Sequence, residues 1–319
     1  MASVDEFMRQ WLDDKPHIEA HTSGSTGVPK LVRLNKDDML TSARATNRFF
    51  GIDDDSCLAS PLSVDYIAGK MMVVRAIEAG CRLVHLPISN EIVLPADSSM
   101  IDLLPIVPSQ IRSLICQPNM ASRIRNVLIG GASPSAADCL LLSQMGYNVY
   151  ISYGMTETCS HVALAKGEDT ERIFHAMPGI SFSTTDDGRL IVEAPEFTFK
   201  RLVTNDIVEL QTSTSMQWRG RADGVINSGG IKMYPEELEM LYSTALYGRN
   251  YYVAGVDDDK WGRAVALFIE GSEDEKCAIA EAVSQCVGDR RKLPKYIITV
   301  ENLPRTSSGK IKRSDTPNK

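Results

Sequence analysis

Apolar residues along the chain fall into short blocks cut by glycine and proline, and the punctuation predicts alternating elements. Asn35 or Asp37 can cap a helix that runs to about Phe50, where Gly51 stops it. A second helix is expected from about Tyr66 to Ala79, ended by Gly80. Cys81-Arg82-Leu83-Val84-His85-Leu86 reads as a buried strand, and Asn126-Val127-Leu128-Ile129 as another that ends at Gly130-Gly131. Ser133-Pro134 predicts a helix start, a hydroxyl cap followed by proline at the first helical position. That helix ends at Gly146, and Asn148-Val149-Tyr150-Ile151 is the next strand. Strands alternating with helices predict an α/β class with largely parallel pairing.

The pattern changes after about residue 180. Arg189–Glu193 and Asp206–Leu210 look like antiparallel strands between polar turns. A new unit begins at Gly220-Arg221-Ala222-Asp223-Gly224. It holds a helix from about Pro235, strands near 250–256 and 264–270, a helix near 273–287 and a strand near 296–301. The expected division is 1–222 as a large α/β domain with an antiparallel portion, and 223–319 as a small mobile α+β domain. The length of 319 residues agrees with two domains.

Composition narrows the function. A formal net charge of −7 argues against a nucleic-acid surface. Neither a leader peptide nor an apolar run long enough to cross a bilayer is visible. Seven scattered cysteines, without a Cys-x-x-Cys pair, predict buried thiols in a reducing cytoplasm rather than disulfides or zinc.

The richest chemistry lies in His21-Thr22-Ser23-Gly24-Ser25-Thr26-Gly27-Val28-Pro29-Lys30. Gly24 and Gly27 free the backbone so that successive N–H groups can converge on an anion. The hydroxyls of Thr22, Ser23, Ser25 and Thr26 and the charge of Lys30 add to the grip. Taken alone, such a stretch reads more readily as a plain flexible loop. Tyr153-Gly154-Met155-Thr156-Glu157 follows a strand, where ligands of open α/β sheets bind. Thr156 can bond a phosphate and Glu157 can hold Mg²⁺. Asp206 can accept both hydroxyls of a ribose, and Arg221 offers a planar fork for phosphate or ribose oxygens. Gly229 and Gly230 permit close backbone approach, and Lys310 sits on a glycine-flexed basic loop. A turn carboxylate, a solvated acid and a basic tail are the plain readings of these last segments one by one.

Together and in this order, the segments resemble the adenylate-forming superfamily of acyl- and aryl-CoA synthetases, luciferases and nonribosomal adenylation domains, over about residues 18–313. The resemblance implies ATP, Mg²⁺ and coenzyme A as reactants. It makes residues 22–30 the β/γ-phosphate grip, with Lys30 its closing lysine, and places Gly131, Ala132, Tyr153, Gly154, Thr156, Asp206 and Arg221 on the nucleotide. Glu157 falls to the metal, Asp223 to the hinge, Gly229 and Gly230 to the CoA tunnel, and Lys310 to the reacting carboxylate and α-phosphate. Val107-Pro108-Ser109-Gln110, Leu128-Ile129-Gly130-Gly131-Ala132 and Tyr234-Pro235-Glu236-Glu237 are most similar to the o-succinylbenzoate–CoA ligases of menaquinone biosynthesis. Such an acid keeps a second carboxylate, for which Lys70, Ser109 and His161 are candidate partners. Other aryl- or acyl-CoA ligases, an adenylating enzyme that loads a carrier protein, and an inactive nucleotide-binding remnant stand as alternatives. A homodimer is left open.

Overall fold

The computed structural model describes residues 3–21, 31–96, 100–305 and 311–313. Helix α1 (Val4–Leu12), capped by the Ser3 hydroxyl, buries Phe7 and Trp11. They pack with the hairpin β1 (His17–His21) and β2 (Leu31–Asn35) and with one face of the helices that follow. Helix α2 (Lys36–Phe50) starts where the Asn35 side chain accepts the Asp37 N–H at 2.8 Å and ends at Gly51 in the left-handed region, as the sequence predicts. Strand β3 (Cys57–Ser60) leads to α3 (Ile67–Ala79), then β4 (Arg82–His85), β5 (Ile101–Ile106), the short α4 (Ile111–Ile115) and β6 (Ile124–Ile129). Helix α5 (Ala136–Gln144) precedes β7 (Asn148–Met155), β8 (Ser160–Lys166), β9 (Ile173–Ala176), β10 (Ser181–Thr184), β11 (Arg189–Ala194), β12 (Lys200–Thr212) and β13 (Ser215–Arg221).

Strands β3 to β13 form a single eleven-stranded sheet in the order β10-β11-β12-β13-β9-β8-β7-β6-β5-β3-β4. Pairing is parallel from β4 to β7 and antiparallel from β7 onward. The change falls at β7, which pairs in parallel with β6 on one side and antiparallel with β8 on the other. The class is the mixed α/β arrangement expected. Its largest core spans both halves, from Leu58 and Leu103 to Val192 and Met216.

Three local expectations are corrected. The strand expected to be buried at 81–86 is β4, at the sheet edge and only half-buried, because one of its sides has no neighbouring strand among the described residues. The helix expected to start at Ser133-Pro134 starts two residues later. Ser135 is its cap and accepts the Asp138 N–H, while Ser133 and Pro134 are engaged elsewhere. Cysteines are not uniformly buried: Cys57, Cys139 and Cys159 are, but Cys116, Cys277 and Cys286 are exposed, and all are free thiols.

A one-turn helix at Ala222–Gly224 leads from β13 into a second sheet. Its members are β14 (Ile226–Ser228), β15 (Ile231–Met233), β16 (Tyr251–Asp258), β17 (Gly262–Glu270) and β18 (Tyr296–Val300), with β18 parallel to β17. Helices α6 (Pro235–Tyr242) and α7 (Lys276–Cys286) cover one face around Leu238, Tyr242, Ile279 and Val283. Among the described residues no helix is long and apolar enough to cross a membrane.

Candidate nucleotide and acid site

The carboxyl ends of β6 and β7 open into a cleft of about 650 Å³. Gly130, Gly131, Ala132 and Ser133 form one wall, and Tyr153 to Glu157 the floor. Thr204 to Asp206, Arg219 and Arg221 close the antiparallel side, and Glu236, Glu237 and Met240 of α6 reach in from the second sheet's unit.

The turn after β7 is built from conflicts that the fold resolves. A Cβ on Gly154 would lie 2.1 Å from the Ser160 carbonyl oxygen, so only glycine lets β7 and β8 close at this point. Cys159 and Ser160 both take positive φ, a conformation that side chains disfavour. Thr158 offsets that cost: its hydroxyl accepts the Met155 N–H at 3.0 Å and donates to the Ser160 carbonyl at 2.7 Å. Strained turns held this firmly concentrate at functional sites. Here the turn leaves Glu157 exposed in the cleft and Thr156 buried on its lining.

Asp206 and Arg221 are cross-strand partners on β12 and β13. Asp206 is buried, accepts the Tyr153 hydroxyl at 2.8 Å and lies 3.9 Å from the Arg221 guanidinium. Burial, reinforced by the neighbouring Asp206 charge, drives the Tyr153 phenol well above its ordinary range, so it remains a proton donor. Arg221 turns the other edge of its fork to Asp223, with two bonds of 3.0 Å. Burial alone would raise the Asp223 carboxyl, but the hydrogen bonds and charge of Arg221 prevail and hold it below the usual range.

Behind the cleft wall at Ser160 lies a buried cation that the sequence reading missed. Arg75 on α3 is 1% exposed. It donates to Ser160 Oγ at 3.1 Å and touches Met72 Sδ, but its Nε has no partner, and among the described residues no carboxylate pairs with it. Burial pulls its pKa down to about 9, which still leaves it charged at neutral pH. His161 lines the cleft beside it and shares a 3.1 Å hydrogen bond with Thr46 Oγ1. Burial, then the Arg75 charge, hold its pKa well below the ordinary value, so the ring is neutral. The signal was available: Arg75 is the one charged residue in Met71-Met72-Val73-Val74-Arg75-Ala76-Ile77. A lone cation in so apolar a helical stretch needs an unusual reason to be buried.

The other candidates are placed as follows. Gly131, Ala132, Tyr153, Gly154, Thr156, Glu157, His161, Asp206 and Arg221 come together around the cleft. Lys70 does not: it is buried against α1, its ammonium 4.9 Å from the Phe7 ring centre. Ser109 bonds Asn90 at 2.9 Å, outside the cleft lining. Gly229 and Gly230 form the tight turn between β14 and β15, also outside it. A Cβ on Gly229 would meet the Trp261 ring at 2.5 Å, so the close approach there is to the chain itself. Thr22, Ser23, Gly24, Ser25, Thr26, Gly27, Lys30 and Lys310 lie outside the described residues.

The fold and the cleft at the ends of the parallel strands define a nucleotide-binding α/β enzyme class. The chain belongs to the AMP-binding enzyme family, whose pattern matches residues 12–191. Among its curated relatives is a 2-succinylbenzoate–CoA ligase of Listeria monocytogenes, 27% identical over 97% of this chain and 71% of that protein. A solved acyl-CoA synthetase (AMP-forming)/AMP-acid ligase II-like protein from Dyadobacter fermentans is 30% identical, with a TM-score of 0.63 over 96% of this chain and 90% of that one. The o-succinylbenzoate–CoA synthetase of Bacillus subtilis, solved with its acyl-adenylate intermediate, gives a TM-score of 0.79 at 22% identity, covering 92% of this chain and 67% of that one. The same synthetase with ATP and magnesium ion gives 0.77 at 21% identity, over 92% and 68%. These last two likenesses are of fold.

Proposed function

We propose that this chain is an ATP-dependent acid–CoA ligase that activates a dicarboxylic aromatic acid, o-succinylbenzoate or a close analogue, as its acyl-adenylate. One observation carries the reading. A single cleft has a hydroxyl- and carboxylate-rich end, Tyr153, Thr156, Asp206 and Arg221, and a second part lined by Ser160 and His161, where the buried cation Arg75 holds Ser160 from behind the wall and pairs with no carboxylate among the described residues. The first end suits a ribose and phosphates. The second suits an anionic group on the acid, since an uncompensated buried guanidinium gains most from a carboxylate that reaches it or the serine it holds.

In the first half-reaction the acid's reacting carboxylate attacks the α-phosphorus of ATP, and pyrophosphate leaves. Asp206 accepts the ribose hydroxyls, Tyr153 fixes the Asp206 carboxylate, and Thr156 donates to a phosphate oxygen. Glu157 would hold the magnesium that accompanies ATP. Its carboxylate stands exposed in the cleft and is the hard oxygen donor that such an ion takes. Such an ion supplies charge neutralisation. Arg75 and Ser160 hold the remaining carboxylate, so the acid is positioned from both ends, and positioning is most of what this chemistry requires. Residues 22–30 and Lys310 take the roles that the family resemblance gives them, at the leaving pyrophosphate and the α-phosphate. In the second half-reaction the CoA thiol attacks the activated carbonyl and AMP leaves. We assign residues 1–222 and 223–319 to two bodies hinged at Asp223, the second bringing Gly229 and Gly230 to the site for thiol attack.

A panel of carboxylic acids that includes o-succinylbenzoate, assayed for pyrophosphate release with and without CoA, tests the reading. CoA-dependent product from the dicarboxylic acid is expected. Loading of a phosphopantetheine carrier without response to free CoA, or no acid-stimulated ATP–pyrophosphate exchange at all, would overturn it.

A further inference from the structure

Arg172 is a further guanidinium in the cleft wall, beside Arg219 and Arg221, and has no part in the scheme above. It lies in the turn between β8 and β9, and its conformation is imposed locally. The Asp169 carboxylate accepts the Glu171 N–H at 3.0 Å and the Ile173 N–H at 2.7 Å, and the Arg172 N–H donates to the Asp169 carbonyl at 3.2 Å. These three bonds wrap the chain tightly enough that Arg172 takes φ +52°, a region a long side chain enters only when its surroundings over-determine it. The result is directional. The guanidinium, 6% exposed, turns across the cleft wall and donates to Ser133 Oγ and to the Pro134 carbonyl. No carboxylate pairs with it among the described residues.

Those two acceptors belong to the loop that leaves β6. Its first residue is tied down by the Gly130 N–H donating to Ile106, and its last by the Ser135 cap of α5. Between them Gly131 takes φ +84° and Pro134 has no N–H to offer, so the loop has little means of holding itself. Ser133 and Pro134, held by Arg172, stay outside α5, which begins at Ala136 with Ser135 as its cap.

We propose that Arg172 is a positioning residue for the nucleotide: it fixes the height of the Gly131–Pro134 wall and so sets the width of the cleft where the adenosine of ATP is bound. The assignment rests on reading the cleft as the ATP site. The planar fork meets two acceptors in a fixed geometry; a lysine ammonium is a compact charge on a shorter, flexible stem and does not reproduce that reach.

The test is ATP affinity, measured directly by titration of the full chain and kinetically as ATP–pyrophosphate exchange, for wild type, Arg172→Lys and Ser133→Ala. Arg172→Lys is expected to weaken ATP binding and raise its KM by about tenfold or more, the scale of a lost hydrogen bond from a charged group. The KM for the acid and kcat should change by less than about threefold. Ser133→Ala, which removes one acceptor and leaves the turn intact, should move the same constant in the same direction by a smaller factor. Wild-type ATP affinity in Arg172→Lys, or equal shifts in the constants for ATP and acid, would overturn the proposal. Should Arg172→Lys fail to fold, unchanged ATP affinity in Ser133→Ala overturns it as well. A wild-type chain that binds no ATP would sink the reading of the cleft itself, a separate outcome.

Discussion

Single residues decide the chemistry and the pH response. Replacing Asp206 with asparagine keeps the shape but removes the charge that, in the proposed site, accepts the ribose hydroxyls. We expect the KM for ATP to rise by roughly ten- to a hundredfold with little change in that for the acid, checked by exchange kinetics. Arg75→Met, nearly isosteric and uncharged, should show the mirror-image result: poor use of dicarboxylic acids, with monocarboxylic analogues affected less. His161 gives a stability prediction whose sign is fixed. Its folded pKa lies well below the ordinary 6.5, so as the pH falls the unfolded chain takes up the proton first. His161's neutral form therefore supports the fold fully above about pH 6.5, and that support is lost as the pH drops below it. Thermal unfolding of His161→Gln should be less sensitive to acid between about pH 6.5 and pH 5 than wild type. Residue-scale chemistry was only partly legible in sequence. Asp206 and Arg221 stood out because each closes a recognisable segment. Arg75 did not: its apolar setting was visible in the sequence, but that no carboxylate pairs with it among the described residues shows only in the packing. Lys70 looked equally suitable on the same helix, yet a separation of five positions turns it toward Phe7 instead.

At the scale of elements, the sequence marked stops better than starts. Gly51 and Gly80 end α2 and α3 in the left-handed region, where glycine has no competitor. Strands β3 and β5 escaped notice for a physical reason. Both are buried on both faces, so their residues carry no alternation, and Pro105 sits inside β5. The start of α5 was misplaced because Ser133-Pro134-Ser135 offers two hydroxyl caps. A guanidinium distant in sequence holds the first of them. Two substitutions test how far backbone closure governs the site. Gly154→Ala would drive a methyl group into the Ser160 carbonyl. It should lower the melting temperature and abolish exchange activity together. Ser135→Ala removes the α5 cap and should cost about 1 kcal/mol in chemical unfolding with activity retained.

For the whole molecule, the two sheets and the one-turn helix between them frame the half-reactions. Lys310→Ala should abolish adenylation but largely spare thioester formation from supplied acyl-adenylate; equal loss of both would remove the role assigned to that lysine. If Asp223 is the hinge we propose, Asp223→Pro should stiffen it and impair one half-reaction selectively, which separate assays of the two steps would show. A change of elements near Asp223 was legible because strand and helix spacing changes there, and a second sheet follows the one-turn helix Ala222–Gly224. The continuity of eleven strands in one sheet was not, since nothing local in β7 announces that it pairs in parallel on one side and antiparallel on the other.

The fork of Arg221 faces both ways, toward Asp206 in the cleft and toward Asp223 in the linking turn. The proposed ligand site and the proposed hinge therefore share one cation. On that reading, a nucleotide oxygen that draws on the guanidinium would compete with Asp223 for it and loosen the link. By reciprocity, whatever pulls Asp223 away leaves Arg221 freer for the nucleotide, and the two effects are equal in free energy. If Asp223 is the hinge we propose, occupancy and hinge position are two readings of a single equilibrium, and the order in which reactants enter and leave becomes a property of one side chain's divided loyalties.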